Sequence, residues 1–457
     1  MNPEIEKPLL AREDGASPSP GVRGQQIAAQ LGVAIPEMGW SVCEPLFMPL
    51  LLILEVPHYL LSICWLISPI TGLIFQPVVG ALSDRYGRKP FILLLGFLAA
   101  LGLVITPMCT MMANKSLAGV LAIACFGLAD MSHDLLVTPT RAQINDVFSA
   151  DEAEWRSGFA GGLGKFFAML CSAFLPSTTA FWAVAVAVAL STSAQLFVPS
   201  KVEEGIESHD KPNVPEGDLK QHSQGQVVID ESGPVPVASS GEVASGSFPA
   251  GFWQLWIMQF AGWLSLCTWL FYFTSVWAAK SGAVPGTPES QRAVQQGTLL
   301  LLAGSVVFMA VGAMLPKLSG PHSVLCCVRE EVSMASALAL LTVTLLSLCY
   351  TGPEIDALSA LLVIGPGHAA YQLVANVPYA WLERQPEFDA ASRGWLTGCF
   401  NGSLSAAQMF VAVLGGPIVD AYGCLSAAYA AAAGINILVL LALGAGYGVT
   451  ALLGSSQ

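Results

Sequence analysis

The sequence predicts an all-α polytopic membrane protein, with twelve transmembrane helices in two six-helix pseudo-repeats. Three observations predict it. Of the 457 residues, 54% are apolar and only 11% are charged, whereas soluble domains carry roughly 25% charge. Apolar windows of about 20 residues recur along the chain, each long enough to cross the hydrocarbon core of a bilayer. A polar segment, 199–250, divides those windows into two sets of six. With no water in the bilayer core, a spanning segment must be a helix or part of a closed barrel. The apolar runs are continuous rather than alternating, so helices are expected.

In chain order, residues 1–26 read as a polar, acidic, disordered tail, without the basic start and short apolar run of a cleavable signal peptide. The first half, 27–198, holds helices near 27–54, 60–81, 91–112, 117–140, 157–176 and 179–198. Residues 199–250 are rich in Pro, Gly, Ser and acids, among them Glu203, Glu204, Glu207, Asp210, Glu216 and Asp218. Such a segment cannot bury enough apolar surface to fold and reads as a disordered linker. The second half, 251–447, holds helices near 252–279, 296–317, 333–351, 356–381, 393–417 and 424–447, and 448–457 is a short tail.

Orientation follows from the lysines and arginines. Fourteen fall on the side of both termini and the linker, including Arg23, Arg85, Arg88, Lys89, Arg156, Lys317, Arg329 and Arg384. Three fall on the other side, Lys115, Lys280 and Arg292. Both termini are therefore expected in the cytosol, in a plasma, vacuolar or other organellar membrane. The net charge of −13 sits mostly in tails and loops, and no basic tract points to nucleic acid. The eleven cysteines show no CxxC or metal spacing. No nucleophile–base or metal constellation appears, so an enzyme is not expected, nor a cofactor.

Four charges crowd the turn between the second and third helices, "GALSDRYGRK". Gly80 and Gly87 allow close packing and a tight turn. Asp84 can cap or pair at a helix end, and Arg85, Arg88 and Lys89 hold the turn on the cytosolic face. Ionisable residues inside membrane helices are expensive and mark functional candidates. Here they are Glu37 and Glu44 in the first helix, Asp130, His133, Asp134 and Arg141 in or at the ends of the fourth, Lys165 in the fifth and His368 in the tenth. Glu37 and Glu44 are two turns apart and share a face, as do Asp130, Asp134 and Arg141. Lys165 is deep enough to snorkel or to pair with an acid of the first or fourth helix. His368 is expected to be hydrogen-bonded in a packed helix, and Asp146 to form a structural salt bridge at the mouth. Trp40, Trp65, Gln76, Trp263, Trp269, Tyr371, Gln372 and Asn376 supply the aromatic faces and amides that a polyhydroxylated solute needs.

The charged turn, G-x-x-x-D-R-x-G-R-K in that position, resembles the signature loop of the major facilitator superfamily, where the cluster is thought to latch the two halves together. The surrounding "LEVPHYLLSICWLISPITGLIFQPVVGALSDRYGRKPFI" is similar to plant sucrose–proton symporters and the animal proton-associated sugar transporters, members of the glycoside-pentoside-hexuronide:cation symporter type. "ADMSHDLLVTPTRAQINDV", "NVPYAWL" and "GGPIVDAYG" match the same group. The resemblance implies proton-coupled symport of sucrose or a related small sugar, with the proton gradient as driving force. It makes Asp130 a proton site, Arg141 a substrate or pairing residue, and His58 a residue near the sugar. Glu37 and Asp134 join the coupling candidates; Trp40, Gln76, Tyr371 and Asn376 join the substrate-binding ones. Three departures stand out: the turn is shorter, the seventh helix lacks its usual acidic Asp-Thr-Asp, and Lys165 stands where Asn is usual. A transporter-like sensor with a degenerate site, or a symporter of a non-sugar solute, are the competing expectations.

Overall fold

A computed structural model describes residues 20–148, 150–197, 248–319, 330–383 and 390–454. In chain order the first half contains α1 (Pro20–Ile53), α2 (His58–Ile63), α3 (Ile67–Tyr86), α4 (Arg88–Met108), α5 (Lys115–Val147), α6 (Ala150–Phe174) and α7 (Ser177–Ala194). The second contains α8 (Phe252–Lys280), α9 (Pro288–Ser319), α10 (Glu330–Tyr350), α11 (Ala357–Glu383), α12 (Ala390–Tyr422) and α13 (Ala427–Gly454). A 3-10 turn, Cys64–Leu66, joins α2 to α3, so those two form one pass and the total is twelve passes. Among the described residues ten passes are long and apolar enough to cross a membrane by length and composition. The other two, α1 and α6, carry Glu37, Glu44 and Lys165. Large apolar side chains such as Leu94, Phe97, Leu101, Val186 and Leu190 point outward, as lipid requires.

Several ends differ from the sequence reading: α5 runs to Val147 rather than 140, α6 begins at Ala150 rather than 157, α9 begins at Pro288 rather than 296, and the two outermost ends shift as well. The first helix begins at Pro20, not 27; a proline fits the first helical position, where its missing N–H would have been unused. The last helix continues to Gly454 rather than stopping at 447, because nothing before Gly454 forces a stop and Ala451, Leu452 and Leu453 favour helix. Residues 1–19, most of the linker and 455–457 lie outside the described residues.

The packing repeats from half to half. In the first, α4 lies on α5 and α7, α1 on α5, α6 and α7, and α3 on α5. In the second, α10 lies on α11 and α13, α8 on α11, α12 and α13, and α9 on α11. Shifting each first-half pass by six gives the second-half pattern. The halves meet through α6 on α9, α2 and α3 on α12, and α1 on α8, a set that maps onto itself under the same exchange.

One bond across that seam follows directly from sequence. Pro49 has no N–H to give to the carbonyl four residues back, which belongs to Pro45. That carbonyl accepts instead from the Thr274 hydroxyl of α8, at 2.6 Å. A buried carbonyl stripped of its helical partner is thus satisfied by the other half.

Two glycines decide local geometry. Gly87, between α3 and α4, has φ +86°, a conformation that favours glycine. Gly164 lets α6 reach α1 closely: a Cβ there would lie 2.6 Å from the Ala34 carbonyl oxygen. Replacing Gly164 with Leu is expected to push the two helices apart, at a cost of about 1–3 kcal/mol for overpacking. A lower apparent melting temperature of the purified chain in detergent, against wild type, checks it.

Candidate functional site

Polar side chains converge where α1, α5 and α6 of the first half face α9 and α11 of the second. Glu44 of α1 and Lys165 of α6 form a buried ion pair, Nζ lying 3.3 Å from both carboxylate oxygens. Their side chains are only 10% and 4% exposed. The pairing alternative for Lys165 is therefore the one the structure adopts. The ammonium also lies 5.2 Å from the ring centre of Tyr371 and 5.9 Å from that of Phe308, so both halves cover it. Phe308 escaped the sequence reading, although it is the one aromatic residue of α9.

Asp130 is buried on α5 and accepts a hydrogen bond from the Trp40 indole of α1 at 3.2 Å. Its Oδ2 is buried with no hydrogen-bond partner among the described residues. One turn on, Asp134 presents a second carboxylate whose Oδ2 is likewise without a donor. That oxygen sits against Gly72 of α3, where a Cβ would clash with it. Gln76 of α3 donates to the Asp134 backbone carbonyl at 3.0 Å, tying α3 to α5. His133 lies between them in sequence, buried against Gly39 of α1.

Arg141 shares the helix with both aspartates but is exposed, and among the described residues no ion pair joins it to Asp130 or Asp134. Glu37, half buried beside Gly161, lies within electrostatic reach of both Arg141 and Lys165. On α11, Gln372 donates to the Phe308 carbonyl at 2.9 Å, and the Asn376 amide donates to the Gln372 side-chain oxygen at 2.7 Å. Asn376 itself is exposed. Tyr371 packs edge-on to Trp263 with ring centres 5.5 Å apart. His368 bonds the Ile364 carbonyl through Nδ1, stands edge-on to Trp269 and lies within electrostatic reach of Lys165. His58 opens α2, but its side chain, like that of Asp84, lies outside the described residues.

The two ends of this cluster differ. Toward the α1–α2 turn it is sealed by rings: Phe47 stacks on Phe126 at 3.7 Å, and Trp65 of the first half stacks on Phe271 of the second at 4.0 Å. The Thr274–Pro45 bond lies at the same level. Toward the α3–α4 turn, Arg141 and Asn376 are exposed. At that turn Arg88 Nε donates to Asp146 at 2.7 Å, Lys89 donates to the Leu196 carbonyl at 3.0 Å, and Arg85 lies over Tyr86. Gly80 packs beside Thr138 of α5.

A family model for the Major Facilitator Superfamily matches residues 25–383. The chain belongs to that superfamily. The sucrose transport protein SUT3 of Oryza sativa subsp. indica is 26% identical, over 93% of this chain and 94% of its own length. The membrane-associated transporter protein of Homo sapiens is 34% identical over 25% of this chain and 26% of its own. Among solved structures, the D-xylose-proton symporter superposes with a TM-score of 0.63 at 15% identity, covering 92% of this chain and 96% of its own. The nucleoside transporter NupG does so with a TM-score of 0.63 at 13% identity, covering 93% and 99%. This major facilitator chain is thus a multi-pass membrane transporter of small molecules, and its polar cluster sits where the two halves meet.

Replacing Trp40 with Phe removes the indole donor on Asp130 Oδ1 while keeping an aromatic ring. A buried acceptor left without its partner costs about 1–3 kcal/mol. The loss of stability in detergent is expected to shrink when Asp130→Asn is added, and a double-mutant cycle of melting temperatures measures the difference.

Proposed function

We propose that the chain is a secondary active transporter that carries sucrose or a related small sugar together with protons, by alternating access around the cluster between its halves. The observation that carries this reading is the Asp130–Asp134 pair. Two carboxyl groups one helical turn apart each hold a buried oxygen with no hydrogen-bond partner among the described residues. Such an oxygen is a natural seat for a proton, because the protonated carboxyl loses its charge in a site that disfavours charge. The Trp40 indole orients Asp130 without neutralising it.

The neighbouring groups suit a polyhydroxylated, uncharged solute. Tyr371, Trp263 and Phe308 offer ring faces to C–H surfaces, and Gln76, Gln372, Asn376, Glu37 and Arg141 offer donors and acceptors to hydroxyls. Arg141, exposed and unpaired with the aspartates, is free to grip a hydroxyl or to close on a carboxylate. The whole-length similarity to a sucrose transport protein supports the same class. With the Lys- and Arg-rich end in the cytosol, the ring-sealed end faces outward, so the arrangement is the cytosol-facing one.

Radiolabelled sucrose uptake into transport-deficient cells tests this. Uptake should rise as external pH falls, because protons enter with the sugar, and should collapse with an uncoupler. Asp130→Asn should lower uptake by at least about tenfold, the size expected for losing a proton-handling group, at equal surface expression. Absence of uptake for sucrose and for a panel of hexoses and disaccharides would overturn the sugar assignment.

A further inference from the structure

The proposed proton sites leave one buried charged group unused, the Glu44–Lys165 pair. Glu44 belongs to the first helix and faces the same seam as the coupling carboxylates. A buried carboxylate needs either a proton or a fixed cation. Lys165 supplies a cation at 3.3 Å from both of its oxygens. The groups that face the pair come from every neighbouring element: Glu37 and Cys43 on α1, Cys267 on α8, and His368 and Tyr371 on α11, with Arg141 of α5 acting on Glu37. Phe308 of α9 completes the surround. Lys165 is the cation placed on Glu44 itself, and it is covered by two rings from the opposite half.

We propose that Lys165 is a resident counter-ion that holds the place on Glu44 a transported proton would otherwise take, and that Phe308 and Tyr371 close over it when the halves dock as they do here. Glu44 then stays ionised throughout the cycle and carries no proton. Proton handling is left to the carboxylates without a fixed cation, Asp130 and Asp134. The pair serves as a positioning element: it sets how many protons move, and it gives the second half a cationic surface to dock on through its rings.

The test uses the full chain, purified in detergent, with Lys165→Gln, Glu44→Gln and the double variant, melted between pH 5.5 and 8. Lys165→Gln strands a carboxyl that must be protonated in the fold but is ionised in the unfolded chain, so its stability is lost as pH rises. Glu44→Gln strands an amine that must be neutral in the fold but is protonated when unfolded, so its stability is lost as pH falls. Opposite pH slopes are therefore expected, with each single variant melting on the order of 10 °C below wild type at its unfavourable pH. The double variant should regain the wild-type slope. Lys165→Arg, which keeps the charge, should stay close to wild type. If either single variant is too unstable to purify, the double must still fold and melt. Slopes of the same sign, or a double variant no better than the singles, would overturn the proposal.

These readings need no transport, so they stand apart from the sugar–proton reading on which the functional meaning rests. In uptake assays that reading adds one expectation: the double variant keeps the wild-type dependence on external pH, whereas Lys165→Gln recovers toward acid pH as Glu44 gains a proton. A double variant that transports but has lost its pH dependence would place Glu44 on the proton path and overturn the counter-ion role. A wild type that carries no sugar would sink the transport reading alone.

Discussion

A charge taken out of water inside a membrane must find a partner, and the Glu44–Lys165 ion pair is the point on which this requirement bears hardest. Breaking a buried pair by removing one member typically costs 3–5 kcal/mol, although the intact pair is worth little more than a well-packed apolar substitute. Its value is therefore in position rather than stability. The pair fixes α6 against α1 within the first half, and its cation gives the second half two rings' worth of contact. The same requirement explains smaller features. Pro49 strips the Pro45 carbonyl of its helical partner, and a hydroxyl from the opposite half supplies one. Asp130, lacking a fixed cation, takes an indole donor on one oxygen and leaves the other open.

These contacts divide the seam between the halves into levels. At one level lie rings and a hydroxyl bond, Trp65 on Phe271 and Thr274 on Pro45. Beside it, one residue from Pro45, lies the ion pair of Glu44, charged on one side and aromatic on the other. Beyond it, toward the α3–α4 turn, lie the exposed Arg141 and Asn376. Stacked rings and cation–ring contacts are worth roughly 0.5–2 kcal/mol each. Within each half α4 packs closely on α5 and α10 on α11.

The fold was largely legible in the sequence because spanning helices announce themselves by length and continuous apolarity. The ends were less so, since helix propensity carried α1 back to Pro20 and α13 on to Gly454 beyond the apolar windows. In the site, periodicity correctly put Asp130, Asp134 and Arg141 on one helix, but spacing along a helix does not say what stands opposite. The partner of Asp130 is Trp40, ninety residues earlier on another element. Lys165 was open between snorkelling and pairing because its four-carbon stem reaches either way. What decides it is the close approach of α6 to α1 at Gly164, a tertiary fact. Phe308 was invisible for the same reason: a lone aromatic in an apolar helix gains meaning only from the cation it covers.

The missing acids of the seventh helix gain a physical sense from this arrangement. Where the resembled symporters carry an acidic stretch near the outer end, this chain has Phe271, Tyr272, Phe273 and Thr274, all buried. Phe271 is the ring that stacks on Trp65, and Thr274 is the donor to Pro45. Carboxylates at that level would break a dry seal, because each would need water or a cation that the neighbouring rings cannot provide. The second half meets the first mainly with aromatic and amide surfaces and the buried His368, while the buried carboxylates and lysine, Glu44, Asp130 and Lys165, belong to the first.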